Sequence, residues 1–150
     1  MSGMEGYDHE YFMQKCIELA LIAKRRGDSP VGSVLVMNGQ IVAQGIEGGK
    51  THIDITFHAE IEAIRRATES LKTQDFSDCI MYTTHEPCIM CSYIIRYTKI
   101  QTIVVGLLTG DTGGFSSCFP LLLDKTIKSW SKPPTIISGI LEMECRKLHD

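Results

Sequence analysis

The stretch His85–Ile94, HEPCIMCSYI, sets two cysteines three residues apart directly after a proline. A C-x-x-C pair suits a redox site, a four-ligand structural zinc site or an open catalytic zinc site. The i, i+3 spacing puts Cys88 and Cys91 on one face of a first helical turn, with Pro87 expected at its first helical position. Free backbone N–H groups and the positive end of the helix dipole favour thiolates there. The pair alone does not choose among the three chemistries, so the choice falls to the surrounding chain.

About thirty residues upstream, FHAEIEAI (57–64) opens another expected helix, HAEIEAIRRATESLK, with Ile61, Ile64 and Leu71 on one side. His58 adds a nitrogen ligand to the two sulfurs. Structural zinc takes four protein ligands, whereas catalytic zinc keeps one position for water, so three points to an open site. Glu60, two residues on, is close enough to address a metal-bound water without ligating the metal. Zinc lowers the pKa of such a water to about 7, and a carboxylate beside it can move the proton to a leaving nitrogen. His85 is the nearest candidate for a fourth ligand, but it lies before the helical turn. The remaining cysteines, Cys16, Cys79, Cys118 and Cys145, sit in apolar runs and read as core or inert thiols.

Working outward, Asp8 is a candidate N-cap for a first helix, EYFMQKCIELALIAKRRG, with Phe12, Cys16, Leu19, Ala20 and Ala23 apolar and Gly27 as its stop. PVGSVLVMNGQIVAQG holds two short strands around Asn38-Gly39, a dipeptide suited to a type I′ hairpin. CIMYTT and IQTIVVG read as strands buried on both faces. LLTGDTGGFSS is a loop, FPLLLDKTIKSW a candidate short helix, TIISGI a last strand and LEMECRKLHD a last helix. The order α-β-β-α-β-α-β-(α)-β-α predicts an α/β fold with parallel strand pairs and helices on both faces.

A chain of 150 residues without repeats or a composition shift is expected to form one domain over 1–150. Its net charge of −3 offers little to a polyanion, and the densest cationic spots, Lys24-Arg25-Arg26 and Arg65-Arg66, read as solvated helix faces. No apolar run approaches a membrane span, and MSGMEGYDHEYF is acidic rather than signal-like, so a cytoplasmic protein with reduced thiols is expected.

The combined pattern resembles the cytidine deaminase superfamily, in the branch with cytosine, guanine and tRNA adenosine deaminases. H-x-E followed by P-C-x-x-C is the signature of zinc nucleobase deaminases. SPVGSVLV resembles the family's first strand, FHAEIEAIRRA its ligand helix, YTTHEPCIMC its cysteine segment and GILEMECRKL its closing helix. The resemblance implies a three-layer α/β/α fold on a five-stranded mixed sheet, zinc held by His58, Cys88 and Cys91, and Glu60 as proton shuttle. It also implies a substrate-binding role for the Ala59 backbone N–H, substrate contacts at Val31 and Pro87, and a homodimer.

One departure bears on substrate. Eleven residues before the histidine, where these branches carry a substrate-binding Asn, this chain has Glu47. An amide donates and accepts, whereas an ionised carboxylate only accepts, so a Glu47 in register favours a ring presenting N–H or O–H groups. In a shifted loop it is merely solvated. His52, Asp54, Tyr93, Phe115 and Phe119 are each open between lining the pocket and ordinary packing, and Glu86 between supporting the metal site and lying in solvent. Met37, Met81 and Met90 read as core filler. The leading expectation is a zinc hydrolase that deaminates a free base or nucleoside. A tRNA adenosine deaminase ranks behind it, and a non-catalytic zinc-binding member of the fold is third.

Overall fold

β1 (Gly32–Met37) and β2 (Gln40–Ile46) form an antiparallel hairpin whose turn residues, Asn38 and Gly39, both take positive φ, 52° and 76°. That is the type I′ geometry expected from the dipeptide. The structure, a computed structural model, describes residues 6–150. Residues 1–5, part of the acidic N-terminal stretch, lie outside the described residues.

The hairpin is one edge of a five-stranded sheet ordered β2-β1-β3-β4-β5. β3 (Cys79–His85) pairs antiparallel with β1 and parallel with β4 (Thr102–Leu107), which pairs parallel with β5 (Thr135–Ser138). The sheet is therefore mixed, as expected. Alternation along each strand divides the core between two layers. Val34, Val36, Tyr82 and Val104 face Phe12, Met13, Cys16 and Ala20 of α1 (Gly6–Arg25) and Cys145 of α4 (Glu142–Lys147). Leu35, Met81, Ile103 and Val105 face Ile64 and Ala67 of α2 (Ala59–Leu71) and Ile95 of α3 (Ile89–Tyr97). Each fully buried aliphatic side chain contributes about 1.5–3 kcal/mol.

Four local expectations are corrected. The first helix begins at Gly6, so Asp8 lies within its first turn. Pro87 precedes α3, whose N-cap is Cys88. Leu71, at the end of α2, is 36% exposed, and the buried face of that helix runs through Ile61, Ala63, Ile64 and Ala67. FPLLLDKTIKSW holds only a single 3-10 turn, Leu121–Leu123. There Arg96, buried on α3, donates to the carbonyls of Leu121, Leu122 and Ser131 at 3.0–3.1 Å and lies over the Trp130 ring. Those bonds hold the backbone by side-chain contacts that a helix would have satisfied internally. Cys118 is exposed, unlike Cys16, Cys79 and Cys145, and none of the six cysteines is in a disulfide.

Candidate metal centre and active site

Both ligand-bearing segments reach the site as helix N-caps. His58 (φ −79°, ψ 150°) precedes α2 and Cys88 (φ −72°, ψ 177°) precedes α3, each in extended backbone. The start of α2 lies hard against β2: a Cβ at Gly45 would collide with the Ala59 carbonyl, so only glycine permits this approach. Ser92 bonds back one turn, donating through Oγ to the Cys88 carbonyl at 2.7 Å.

These elements bring His58, Cys88 and Cys91 together, with one ligand atom from each within 4.8 Å of the others. His58 Nδ1 lies 3.5 Å from Cys88 Sγ and 3.4 Å from Cys91 Sγ. A tetrahedral zinc with Zn–S near 2.3 Å and Zn–N near 2.0 Å has an S···N edge of about 3.5 Å, so the spacing fits that ion. One imidazole N–H cannot serve two sulfurs at once, which is the donor chemistry of a cation site. Without metal, hydrogen bonds from Cys91 and His58 pull Cys88 down to about 4. The Cys88 thiolate in turn raises His58 to about 9, and its contact with Cys91, together with burial, pushes that second thiol well up. Metal binding replaces those protons. His85 lies outside the ligand set found among the described residues.

Glu60 sits beside the ligands, 3% exposed, with Cys91 Sγ 3.8 Å from its Oε1. Burial raises its carboxyl to about 7, while Thr83 and its own backbone N–H oppose the shift. The Thr83 hydroxyl lies 3.0 Å from Glu60 Oε2 and 3.1 Å from the His85 carbonyl oxygen, so its one proton serves one acceptor at a time.

A cavity of about 180 Å³ opens over this group, and Glu47, Val31, His85 and Thr109 are among its walls. Glu47 is thus an enclosed wall residue, 9% exposed, and not a solvated one. Its N–H donates to the Val31 carbonyl at 3.1 Å, and its Oε2 accepts from the Gly49 N–H at 3.2 Å. Burial raises its carboxyl, with His58 opposing. Ala59 and Pro87 are buried beside the cavity rather than in its wall. As the first residue of α2, Ala59 has a backbone N–H among those that the helix leaves free. Pro87 accepts the Gly114 N–H at 2.8 Å. His52 stacks on Phe57, Asp54 accepts from Thr56, Tyr93 packs edge-on against Trp130, Phe115 joins the core and Phe119 is exposed, so none of these five lines the cavity.

Two tethers were not anticipated. Glu86, 2% exposed, accepts from the backbone N–H groups of Thr109, Phe115 and Ser116 at 2.7–2.8 Å and from the Ser116 hydroxyl at 2.5 Å. Burial acts to raise its carboxyl, but these donors outweigh burial and hold it below the usual range. A Cβ at Gly113 would collide with this carboxylate, so the glycine-rich loop closes on it. The signal in the sequence is TGDTGGFSS itself, rich in backbone donors that need an acceptor.

The second tether is Asp28. Its enclosed carboxylate accepts from the N–H groups of Lys50 and Thr51 and from the Thr51 hydroxyl at 2.6–3.0 Å, beside Arg26. Arg26, exposed as expected, also donates to the Glu47 carbonyl at 2.9 Å. Burial acts to raise the Asp28 carboxyl, but the Thr51, Lys50 and Arg26 contacts outweigh it and leave it lowered. A depressed folded pKa gives stabilisation that is complete above the unfolded value, about 4, and is lost as pH falls through the folded one. We expect Asp28→Asn to cost about 1–3 kcal/mol at neutral pH. In urea unfolding, the gap from the parent protein should close on acidification below about pH 4. A gap independent of pH would refute this.

Two sulfurs and an imidazole gathered for zinc, with a buried carboxylate at their side and an open cavity above, define a zinc hydrolase. The chain belongs to the family described as the cytidine and deoxycytidylate deaminase zinc-binding region, which it matches over residues 7–107. It is 35% identical to the tRNA-specific adenosine deaminase of Aquifex aeolicus, over 79% of this chain and 78% of that one. Identity to the guanine deaminase of Bacillus subtilis is 37%, over 75% and 74%. A solved structure from work on tRNA:A34 deaminases superposes with a TM-score of 0.85 at 29% identity, covering 92% of this chain and 98% of that one. The reaction is zinc-dependent hydrolytic deamination of a nucleobase or nucleoside. Among the described residues, no helix is long and apolar enough to cross a membrane.

Proposed function

We propose that this chain, as one domain over 1–150, deaminates a free base or nucleoside whose ring presents N–H groups to Glu47, a guanine-type ring above all. The observation that carries this reading is the Glu47 carboxylate in the cavity wall. One of its oxygens is engaged by Gly49, and the other is an acceptor for the ring. The net charge of −3 and the identity to a guanine deaminase support it further.

His58, Cys88 and Cys91 hold the zinc, which when bound supplies a water-derived nucleophile at neutral pH. Glu60 would carry two protons in turn: one from the attacking water to the ring nitrogen, then the remaining hydroxyl proton to the amino group, which departs as ammonia while the ring carbonyl forms. Thr83 steadies one Glu60 oxygen during that exchange. The free N–H of Ala59 at the α2 terminus is a donor for a ring carbonyl, with Val31 as an apolar wall and Pro87 as support for the neighbouring loop.

Adenosine in tRNA is the second reading, favoured by the near-complete overlap with the tRNA:A34 deaminase structure. We read the protein as cytoplasmic and homodimeric. The exposed Tyr93 and Tyr97 of α3, next to Trp130, support a partner surface.

The test is ammonia release from guanine, cytosine, adenine, their nucleosides and tRNA. Guanine-type turnover without salt-sensitive binding is expected, and tRNA turnover alone would overturn the first reading. Glu47→Asn should shift preference between rings by about tenfold or more, because a lost buried hydrogen bond is worth about 1–3 kcal/mol. An unchanged profile would remove Glu47 from substrate choice.

A further inference from the structure

His85 lines the cavity, yet neither the metal centre nor the proton transfer uses it. It ends β3 opposite Leu107 of β4, in the parallel part of the sheet. In open α/β sheets the carboxyl ends of parallel strands form the ligand crevice. Its ring is backed by a second imidazole from the far end of the chain: His149 lies with its centroid 5.2 Å away at an interplanar angle of 47°.

That second ring is held in place. Cys145 and Leu148 are buried in the core beside α1, the His149 N–H donates to the Arg146 carbonyl at 3.1 Å, and Lys24 Nζ donates to the Asp150 carbonyl at 3.2 Å. α1 and α4 together therefore fix the chain end behind His85. Burial pushes both imidazoles down, with the mutual contact adding to the shift at His85 and Lys24 to that at His149. A neutral imidazole can both donate and accept. The carboxylates around it only accept when ionised, and Glu86 is already saturated by the loop.

We propose that His85 is a specificity-determining residue that donates its ring N–H to an acceptor atom of the heterocycle, on an edge not taken by Glu47, and that His149 is the positioning residue behind it. This rests on the reading of the cavity as the site of an aminated ring. A wall residue of the substrate site is then supported by His149, 120 positions from Ser29, which lines the same cavity.

The experiment uses the full zinc-loaded chain and the His85→Leu, His85→Gln, His149→Ala and His149→Phe variants, with zinc content and Tm recorded for each. Ammonia release is measured on guanine, cytosine, adenine and their nucleosides. His85→Leu should lower kcat/KM about 10–100-fold for the best ring while changing the poorest by less than about threefold, so the order of preference changes. His85→Gln keeps a donor and should fall between. His149→Ala should raise KM about fivefold with kcat retained, and His149→Phe, which restores a flat ring behind His85, should bring KM back. Equal scaling across all substrates, or none, would overturn the proposal.

A second readout does not depend on turnover. In zinc-loaded Glu60→Gln protein, the Cε1–H resonance of His85 should move on adding the same bases, and its constancy would sink the contact. If the parent protein releases no ammonia from any ring, the functional reading fails, while this resonance still decides whether His85 meets the ligand.

Discussion

Glu60→Gln is expected to keep one zinc per chain and to lose about 10²–10⁴-fold in kcat, the usual contribution of a positioned acid/base group. Glutamine preserves the shape of the side chain and an oxygen for Thr83, which lies 3.0 Å from Glu60 Oε2. Metal should stay because the clustered ligand atoms belong to His58, Cys88 and Cys91. Cys91→Ser is the contrasting variant. It replaces a soft thiolate with a hydroxyl, so zinc and activity should fall together. Metal analysis beside ammonia release separates the two. Full activity in zinc-loaded Glu60→Gln would refute the proton-shuttle role.

Glu86→Ala is expected to unfold the protein at markedly lower temperature and to weaken turnover. The substitution strands three backbone N–H groups and a hydroxyl, those of Thr109, Phe115 and Ser116, around a vacated buried position. Unsatisfied buried donors cost about 1–3 kcal/mol each, so a loss of about 3 kcal/mol or more is expected. In a domain of this size that corresponds to about 6–12 °C in Tm. Thr109 and Thr112 line the cavity, so loosening this loop should also lower kcat/KM. Glu86→Gln should lie between, because one oxygen still accepts while the amide faces donors. A Tm within about 2 °C of the parent protein would show that the loop is held by other contacts.

Most of the site was legible because its chemistry is local. H-x-E and C-x-x-C each sit within one helical turn, and the element order needed only hydrophobic periodicity and the Asn38-Gly39 turn. Two of the errors share a physical cause, which is that a distant partner overrode a local preference. Pro87 suited a first helical turn, but the helix starts after Cys88 because the Pro87 carbonyl takes the N–H of Gly114. The apolar Leu121–Leu123 run looked helical until Arg96, 25 residues away, took its carbonyls. The loop partners of Glu86 and Asp28 were not legible because they lie 22–30 residues off. Glu47 was the mixed case: counting left a wall residue and a solvated one both open, and the cavity distinguished them.

The connection between β4 and β5 is fastened at its two ends, by Glu86 around Thr109–Ser116 and by Arg96 around Leu121–Ser131. Between these anchorages runs Ser117–Pro120, with Cys118 and Phe119 exposed. Ser117 and Pro120 still bond to Gly113 and Leu123 on either side, so exchange at the exposed Cys118 and Phe119 side chains is expected to disturb the fastenings least. For divergence, and for an engineer, this makes the span a graft point: a lineage can vary it to reach a larger substrate while inheriting the reaction centre intact.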